Sequence, residues 1–379
     1  MKTYKLCLLF LIISLQSFSF SELDESNPDF NNRSVNADPN YAFLSSKMND
    51  TVFVQSEMRI RKGKVLVLKD LVLKFAEGVK IVVEAGDPFS NQNGGKLVLD
   101  NTVLTYDETN GTDGLWLGVE VHGIPTADQG VLNTGDGPNK SLQGHLVMRN
   151  NARIEHAKIG ILLASRSLGE IGYYPKGYKT GGVVFCLNSS ILNCEVGLYA
   201  DKYANFNSLS YFLDAQMEWD ADNHFVKPAM KSLVVLRMHN NLRFIGCDFH
   251  NNSNSINEAT AGKGIYAHAS RFQVLGRATC PIADCNTFDR GTFNNFRFGI
   301  YVGNPSVGKE PFVCERQDFS NCYIGTYANN SNSAKIVLNN FFTKAENSIK
   351  TSGIYLSNSS GFKVEENYLT SLNSTDVEQ

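Results

Sequence analysis

The sequence feature that most constrains the fold is a phrase that returns in altered form along the chain. It reads ILNCEVGLYADK from Ile191, FNNFRFGIYVGN from Phe293 and FSNCYIGTYANN from Phe319. Each copy has an apolar residue, an Asn two positions later, then a Gly, and a Tyr two positions after that Gly. The glycines that align across this phrase and its weaker copies are Gly160, Gly197, Gly264, Gly299, Gly325 and Gly353. Their two shortest separations are 26 and 28 residues, a spacing that indicates a repeat architecture.

Short β-prone runs fill the chain around these phrases. In GKVLVLKDLVLKFAEGVKIVVEAG (63–86), apolar residues recur at every second position within runs of four or five. That period is typical of strands, and no long window has the 3.6-residue period of a helix. Asn-Gly pairs, which favour tight hairpins, occur at Asn93-Gly94 and Asn110-Gly111 but are missing at most run boundaries. Three short strands per period, without helices, predict a coil of parallel strands.

We therefore predict an all-β chain that forms a single parallel β-helix, a solenoid, with loop insertions. In the copy that begins at Phe293, Phe293, Phe296 and Ile300 are expected to face a narrow core and to stack on equivalent residues about 4.8 Å away. Asn294 or Asn295 is expected to adopt the left-handed turn conformation and to join an amide ladder. Gly299 is expected to let the chain bend. A β-sandwich or a propeller would also have short strands but fits the uneven period less well.

The first 50 residues differ in composition from the rest. A short basic start and the apolar run Leu6–Leu15 precede a small-residue cleavage site, which predicts a signal peptide over residues 1–21. Residues 22–50 are polar and Asn-rich, as expected of a weakly ordered leader or an N-terminal cap. Residues 51–379 are predicted to form the parallel β-helix domain. No later apolar run reaches about 18 residues, so we predict a secreted or cell-surface protein without a transmembrane segment in the mature chain.

The charge balance excludes one class of partner. The chain has 35 Lys and Arg residues against 38 Asp and Glu residues, for a net charge of −3. Nucleic-acid-binding proteins carry a basic patch or stripe, and this balance provides none. We therefore expect no nucleic-acid partner.

Seven cysteines follow the signal peptide, an odd number spread along a long chain. Cys186, Cys247 and Cys314 fall in strand-like apolar runs, where a Cys most often serves as a small buried hydrophobe. Cys280 and Cys285 are separated by a short, turn-like segment in a chain predicted to be exported. They are the best candidates for a disulfide.

The segment DAQMEWDADNH (214–224) contains the best candidate metal ligands. Asp220 and Asp222 resemble part of a calcium-binding loop, since calcium prefers oxygen ligands. The segment lacks the Gly and the later Glu of an EF-hand loop, and solvated carboxylates on a strand and loop are the alternative. We therefore assign no cofactor and keep calcium as the one candidate.

No pattern of catalytic residues is evident. A glycoside hydrolase needs two carboxylates about 5–10 Å apart, which on a solenoid would come from adjacent turns. The histidines occur singly, without a paired nucleophile, and are interpreted as surface or hydrogen-bonded strand residues: His122, His156, His239, His250 and His268.

Three longer insertions interrupt the repeats, at 123–145, 165–182 and 304–312. Insertions of repeat proteins often gather on one face, which is commonly the binding face. Exposed aromatic rings can stack against sugars while lysines donate hydrogen bonds. The candidate substrate-binding residues of the second insertion are Tyr173, Tyr174, Lys176 and Tyr178. The alternative is a loop whose tyrosines pack back onto the flank of the coil.

Phrases spread from about Met58 to Leu369 resemble those of secreted right-handed parallel β-helix proteins of bacteria that use type IX (gliding-type) secretion. The phrases are MRIRKGKVLVLKDLVLKFAEGVKIVVEAG, GGKLVLDNTVLT, GLWLGVEVHG, NARIEHAKIGI, GGVVFCLNSSILNCEVGLY, LRFIGCDFHNN, GKGIYAHAS and GIYLSNSSGFKVEENYL. The resemblance implies a right-handed coil and, for most members, no assigned activity. Many members carry a C-terminal sorting domain, whereas this sequence stops at LTSLNSTDVEQ, which leaves open a truncation.

Taken together, the sequence predicts a non-catalytic structural or binding protein, secreted or at the cell surface, with extracellular polysaccharide or cell-surface components as partners. This rests on analogy of fold. The alternative is a calcium-assisted polysaccharide lyase or glycoside hydrolase acting in a groove along the coil. Three or more carboxylates, or Arg and Lys residues, that line a groove on adjacent turns would favour the enzyme, and a flank with only Asn ladders and scattered Lys would exclude it.

Overall fold

The computed structural model describes residues 50–108, 114–130, 134–137, 140–166, 179–223, 231–253, 259–280, 287–308, 311–344 and 351–371. Its strands form three long parallel sheets, which the chain visits in strict rotation. The predicted all-β parallel β-helix is therefore confirmed. The predicted signal peptide and nearly all of the predicted leader lie outside the described residues, so both stay predictions. Among the described residues, no helix is long and apolar enough to span a membrane.

Each turn of the coil, here called a rung, contributes one strand to each sheet. Sheet 1 consists of Asp50–Val54, Leu71–Phe75, Val103–Tyr106, Arg153–Glu155, Ser190–Leu192, Gln216–Trp219, Asp248–Asn251, Gly291–Asn294, Gln317–Cys322, Asn340–Thr343 and Tyr368–Ser371. Sheet 2 consists of Met58–Ile60, Lys80–Val83, Gly118–Val121, Ile159–Leu163, Val196–Ala200, Ser232–Arg237, Lys263–His268, Phe298–Gly308, Ile324–Ser331 and Ser352–Ser357. Sheet 3 consists of Val65–Lys69, Lys96–Asp100, His145–Arg149, Val183–Leu187, Tyr211–Leu213, Leu242–Ile245, Phe272–Leu275, Phe312–Glu315, Lys335–Val337 and Lys363–Glu365. A short antiparallel pair, Arg277–Ala278 with Phe288–Asp289, and a 3₁₀ helix, Ala221–Asn223, lie outside the three sheets.

The interior of the coil is filled by residues that stack in register from rung to rung. The column contributed by sheet 1 is Val52, Leu73, Leu104, Ile154, Ile191, Met217, Phe249, Phe293, Phe319, Phe341 and Leu369. Its four consecutive Phe rings stack nearly parallel, with centroids 4.5, 4.8 and 4.7 Å apart. Burial of such a ring stabilises the fold by about 2–3 kcal/mol, and each stacked pair adds about 1 kcal/mol. The predicted core positions Phe293 and Ile300 are both fully buried.

The repeated glycines form a column of their own, and the prediction that they bend the chain is wrong. Gly264, Gly299 and Gly325 lie inside strands of sheet 2. A Cβ on Gly299 would lie 2.6 Å from a ring carbon of Phe319 and 2.7 Å from the carbonyl oxygen of Gly325. Gly264 meets Phe293 and the carbonyl of Gly299 in the same way. Each glycine therefore leaves room for a Phe and a backbone one rung further along.

The Asn of the repeated phrase takes the left-handed turn between sheets 1 and 2, as predicted. Asn193, Asn295 and Asn321 have φ values of 52°, 66° and 55°. Their side chains bond the backbone of a neighbouring rung: the Asn193 Oδ1 accepts from the Asp220 N–H at 2.8 Å, and the Asn295 Nδ2 donates to the Asn251 carbonyl at 3.0 Å. Bonds of this kind connect successive rungs at the bend.

A second left-handed position marks the bend between sheets 3 and 1. It is occupied by Asp70, Asn101, Asn150, Asn188, Asp214, Gly246, Arg316, Leu338 and Glu366. The amide ladder expected at Asn294 or Asn295 is not what Asn295 forms, since its side chain bonds a backbone carbonyl. An Asn–Asn bond occurs instead at this second bend, one residue further along, where the Asn339 Nδ2 donates to the Asn367 Oδ1 at 3.0 Å. Both bends are thus fixed by backbone conformation and by bonds to the next rung.

We predict that Gly299→Ala destabilises the fold by about 1–3 kcal/mol, because the added methyl group overpacks the core against Phe319 and a backbone carbonyl. Urea titration monitored by circular dichroism measures the change. Gly303→Ala, in the same strand, is the control, since its Cβ meets only the Tyr301 ring at 3.0 Å. Equal stability of Gly299→Ala and wild type would contradict the packing role of the glycine column.

Candidate functional site

The outer face of sheet 2 carries one in-register column along the whole coil. From the N-terminal to the C-terminal end it reads Arg59, Val82, Glu120, Leu162, Tyr199, Val235, Tyr266, Tyr301, Tyr327 and Tyr355. These residues alternate with the buried inward column, as side chains of a strand must. The column begins ionic, becomes apolar and ends in four tyrosines.

The C-terminal part is the tyrosine ladder, defined as Tyr266, Tyr301, Tyr327 and Tyr355. Successive ring centroids lie 5.5, 4.8 and 5.2 Å apart, and the last two pairs are within 10° of parallel. Because the rings stack on one another, their edges, and not their faces, are available along the side of the stack. Within the described part of the chain, Tyr355 stacks on Tyr327 and is 48% exposed.

Cationic and aromatic side chains flank the tyrosine ladder. The Lys263 Nζ lies 5.5 Å from the centroid of the Tyr266 ring and 5.7 Å from that of Tyr301. Phe298 packs edge-on against Tyr301 at 5.1 Å, and the Arg297 guanidinium lies 5.3 Å from the Phe298 ring. Burial raises the pKa of Tyr301, and the nearby Tyr266 adds to the rise. The phenol therefore stays protonated at neutral pH and can donate a hydrogen bond.

The N-terminal part contains a buried carboxylate, Glu120, whose side chain is 1% exposed. Its oxygens lie 3.2 Å from the Lys80 Nζ, 3.2 Å from the His122 Nε2 and 3.5 Å from the Arg166 Nε. These four side chains are here called the Glu120 cluster. The His122 Nδ1 is buried and has no hydrogen-bond partner among the described residues.

The cluster extends over neighbouring rungs through further ion pairs. Lys80 also lies 3.6 Å from Glu57, and Arg59 pairs with both Glu57 and Glu84. Three carboxylates and three cations therefore meet on adjacent rungs. Burial alone would raise the pKa of Glu120, but the bond with His122 and the charges of Lys80 and Arg166 outweigh it, so the pKa lies below its ordinary value.

Neither of these two sites was identified from the sequence. His122 was interpreted as a surface or hydrogen-bonded strand histidine, and it is buried and hydrogen-bonded to Glu120, two residues away. The partners of Glu120 come from other rungs, and only the register shows that Lys80 and Glu120 are neighbours on one face. The tyrosine ladder did leave a signal, the Gly-x-Tyr of each repeated phrase, which marks an outward position next to the glycine column.

The candidate substrate-binding residues Tyr173, Tyr174, Lys176 and Tyr178 lie outside the described residues, so their role stays a prediction. The first insertion is described in part, and it covers sheet 3. The Lys96 Nζ is buried beneath it, donating to the carbonyls of Gly135 and Gly137, and burial lowers the pKa of Lys96 to about 8. The Gln143 side chain donates to three carbonyls of the insertion, those of Ile124, Ala127 and Asp128. This loop is part of the folded body.

Of the candidate calcium ligands, Asp220 directly precedes the 3₁₀ helix and Asp222 lies within it. The Asp222 N–H donates to the Asp220 Oδ1 at 3.0 Å. Of the other acids in that segment, Asp214 pairs with Arg277 and Glu218 accepts from Gln216. Across the described residues, no group of three or more His, Cys, Asp or Glu side chains could hold a metal ion.

The cysteines behave largely as expected. Cys186, Cys247 and Cys314 are buried free thiols, although Cys247 lies at a bend and not within a strand. Burial raises the pKa of Cys247 to about 12, which makes the thiol unreactive. Cys280 is disulfide-bonded. Its predicted partner, Cys285, lies outside the described residues, so the pairing stays a prediction.

No protein-family model and no curated protein matches the chain. Three solved right-handed parallel β-helix structures resemble it. The periplasmic alginate epimerase AlgG is 10% identical, with 89% of this chain and 82% of that chain covered and a TM-score of 0.37. The A-module of mannuronan C-5 epimerase AlgE4 from Azotobacter vinelandii is 11% identical, with 92% and 99% covered and a TM-score of 0.23. The surface protein and adhesin PfbA from Streptococcus pneumoniae is 10% identical, with 90% and 99% covered and a TM-score of 0.20. At these values the similarities carry no argument about activity.

We predict that Glu120→Gln lowers the free energy of unfolding at pH 7 by about 3 kcal/mol, because it leaves buried cations without their partner. Since the folded-state pKa of Glu120 is lowered, its stabilisation is fully present above the unfolded pKa and is lost as pH falls through the folded pKa. The gap between variant and wild type should therefore shrink below about pH 4. Urea titrations from pH 3 to 8 measure it.

The control for this experiment is Glu365→Gln, which breaks the exposed pair between Glu365 and Lys363. Exposed pairs contribute about 0–1 kcal/mol. The role of Glu120 as a buried ion-pair partner would be contradicted by either of two results. One is a loss of unfolding free energy for Glu120→Gln at pH 7 that is no larger than that of the control, and the other is a loss that grows as the pH is lowered.

Proposed function

We propose that this protein is a secreted or cell-surface β-helix protein that binds an extended extracellular polysaccharide along the outer face of sheet 2. It acts as a binding module and not as an enzyme. The observation that carries the proposal is the in-register tyrosine ladder. The proposed export rests on the sequence pattern of residues 1–21, and the type IX route rests on resemblance alone.

The geometry of the tyrosine ladder suits a ligand that itself repeats. Ring edges and hydroxyl groups recur once per rung, about 4.8 Å apart, so one kind of contact can be made several times along a chain. Because each ring is held by its neighbours, little side-chain entropy is lost when a ligand binds. The exposed part of the Tyr355 ring offers apolar surface for a sugar ring.

Two of the similar solved structures act on polysaccharides by name and the third is an adhesin. These names are compatible with a carbohydrate-related role for this chain. The proposal itself is built on the residues of sheet 2.

A second candidate function is catalysis on a polysaccharide at the Glu120 cluster. The observation that favours it is the gathering of carboxylates and cations on adjacent rungs around a buried glutamate. With its lowered pKa, Glu120 is ionised and would orient His122, whose Nδ1 could act as a base. Against it, Glu57, Glu84 and Glu120 are all held in ion pairs, as in a structural network. The calcium-assisted version stays a proposal that rests on Asp220 and Asp222.

We predict that Tyr355→Ala weakens binding of a recognised polysaccharide about tenfold, because the loss of one aromatic contact costs about 1–1.5 kcal/mol. Binding is measured by affinity electrophoresis against a panel of acidic and neutral polysaccharides. The control is Tyr368→Ala, which removes a 58% exposed tyrosine from sheet 1. Equal losses in the two variants would contradict the location of the site.

We expect no release of reducing or unsaturated ends when the purified protein is incubated with the same panel. The assay measures reducing sugar and absorbance near the unsaturated uronate band. Release that disappears in a folded His122→Gln variant would instead establish the second candidate function. Release that persists in His122→Gln would contradict both the binding-only proposal and the Glu120 cluster as the active site.

A further inference from the structure

We propose that the ligand of the tyrosine ladder is a polyanionic polysaccharide, and that Lys263 and Arg297 receive its carboxylate or sulfate groups. This inference rests on the proposed function and specifies the chemical class of its ligand. It is carried by the side chains that surround the ladder.

Lys263 is held against the rings of the ladder. Its Nζ lies over the rings of Tyr266 and Tyr301, and no ion pair with a carboxylate forms at this lysine within the described part of the chain. Burial lowers the pKa of Lys263, and the like charge of Arg297 lowers it further. Both effects disfavour the ammonium form of Lys263. An anionic group placed between Lys263 and Arg297 would offset the repulsion between the two cations and would itself be stabilised by them.

The surrounding sheet lacks acidic residues. The five strands of sheet 2 that surround the ladder contain no Asp or Glu: Ser232–Arg237, Lys263–His268, Phe298–Gly308, Ile324–Ser331 and Ser352–Ser357. The other strand cation, Arg237, is already neutralised by two bonds of 2.7 Å to the buried Asp201. These five described strands therefore place no carboxylate of their own beside the ladder.

The other end of the same face provides the contrast. In the Glu120 cluster and the ion pairs that extend it, each of the cations Lys80, Arg59 and Arg166 has a carboxylate within 4 Å. An anionic ligand there would have to displace Glu120 or Glu57. At the ladder, by comparison, Lys263 meets rings, and the phenols of Tyr301 and Tyr327, whose pKa values are raised chiefly by burial, remain protonated donors for anionic oxygens.

The test compares charged and neutral forms of the same chain: polygalacturonate against its fully methyl-esterified form, and dextran sulfate against dextran. Affinities of the wild type, Lys263→Gln and Arg297→Gln are measured by biolayer interferometry at low and high salt. We expect a charged member to bind at least tenfold more tightly than its neutral counterpart. Each substitution should weaken that binding about tenfold and reduce its salt dependence. Preference for polygalacturonate would indicate carboxylates, and preference for dextran sulfate would indicate sulfates.

The matched control is Lys363→Gln, which removes an exposed lysine from sheet 3 and should leave binding unchanged. Unchanged thermal unfolding of Lys263→Gln shows that the fold is kept. Equal binding of charged and neutral forms that still depends on Tyr355 would overturn the polyanion inference and leave the proposed function standing. Binding of none of the four polysaccharides, or tighter binding of single-stranded DNA, would overturn both.

Discussion

The structure depends on the contact between a phenylalanine and a glycine one rung apart. Phe293 packs against Gly264, and Phe319 packs against Gly299, so the ring of sheet 1 reaches the backbone of sheet 2 across the narrow interior. A larger residue at the glycine would separate the two sheets. Each repeated phrase has to contain both a Phe and a Gly, because its Phe packs against the Gly of one neighbouring rung and its Gly packs against the Phe of the other.

This contact fixes the register, and the register determines what the surface displays. A slip of one residue would exchange inward and outward side chains of a strand. It would bring Tyr301 into the core and expose Ile300. Because the core prevents such a slip, the Tyr two positions after Gly264, Gly299, Gly325 and Gly353 faces outward, in line with its equivalents. The tyrosine ladder is therefore a consequence of core packing repeated over four rungs.

Much of the fold could be predicted from the sequence because its cause is local. The period-two runs, the left-handed Asn295 and the buried Phe293 each follow from residue types and their spacing. The role of Gly299 could not be predicted correctly, since its constraint is a ring and a carbonyl of the next rung. Glu120 and Lys80 are forty residues apart in sequence, and only the lengths of the intervening loops decide that they meet.

We propose that an anionic polysaccharide binds at the tyrosine ladder. Hydroxyl-radical footprinting with mass spectrometry measures this directly, by comparing labelling of individual tyrosines with and without polygalacturonate or dextran sulfate. We expect that one of these polymers protects Tyr301, Tyr327 and Tyr355 while labelling of the exposed Tyr368 is unchanged. Protection of Tyr368 alone, or of no tyrosine under conditions where the polymer is bound, would contradict it.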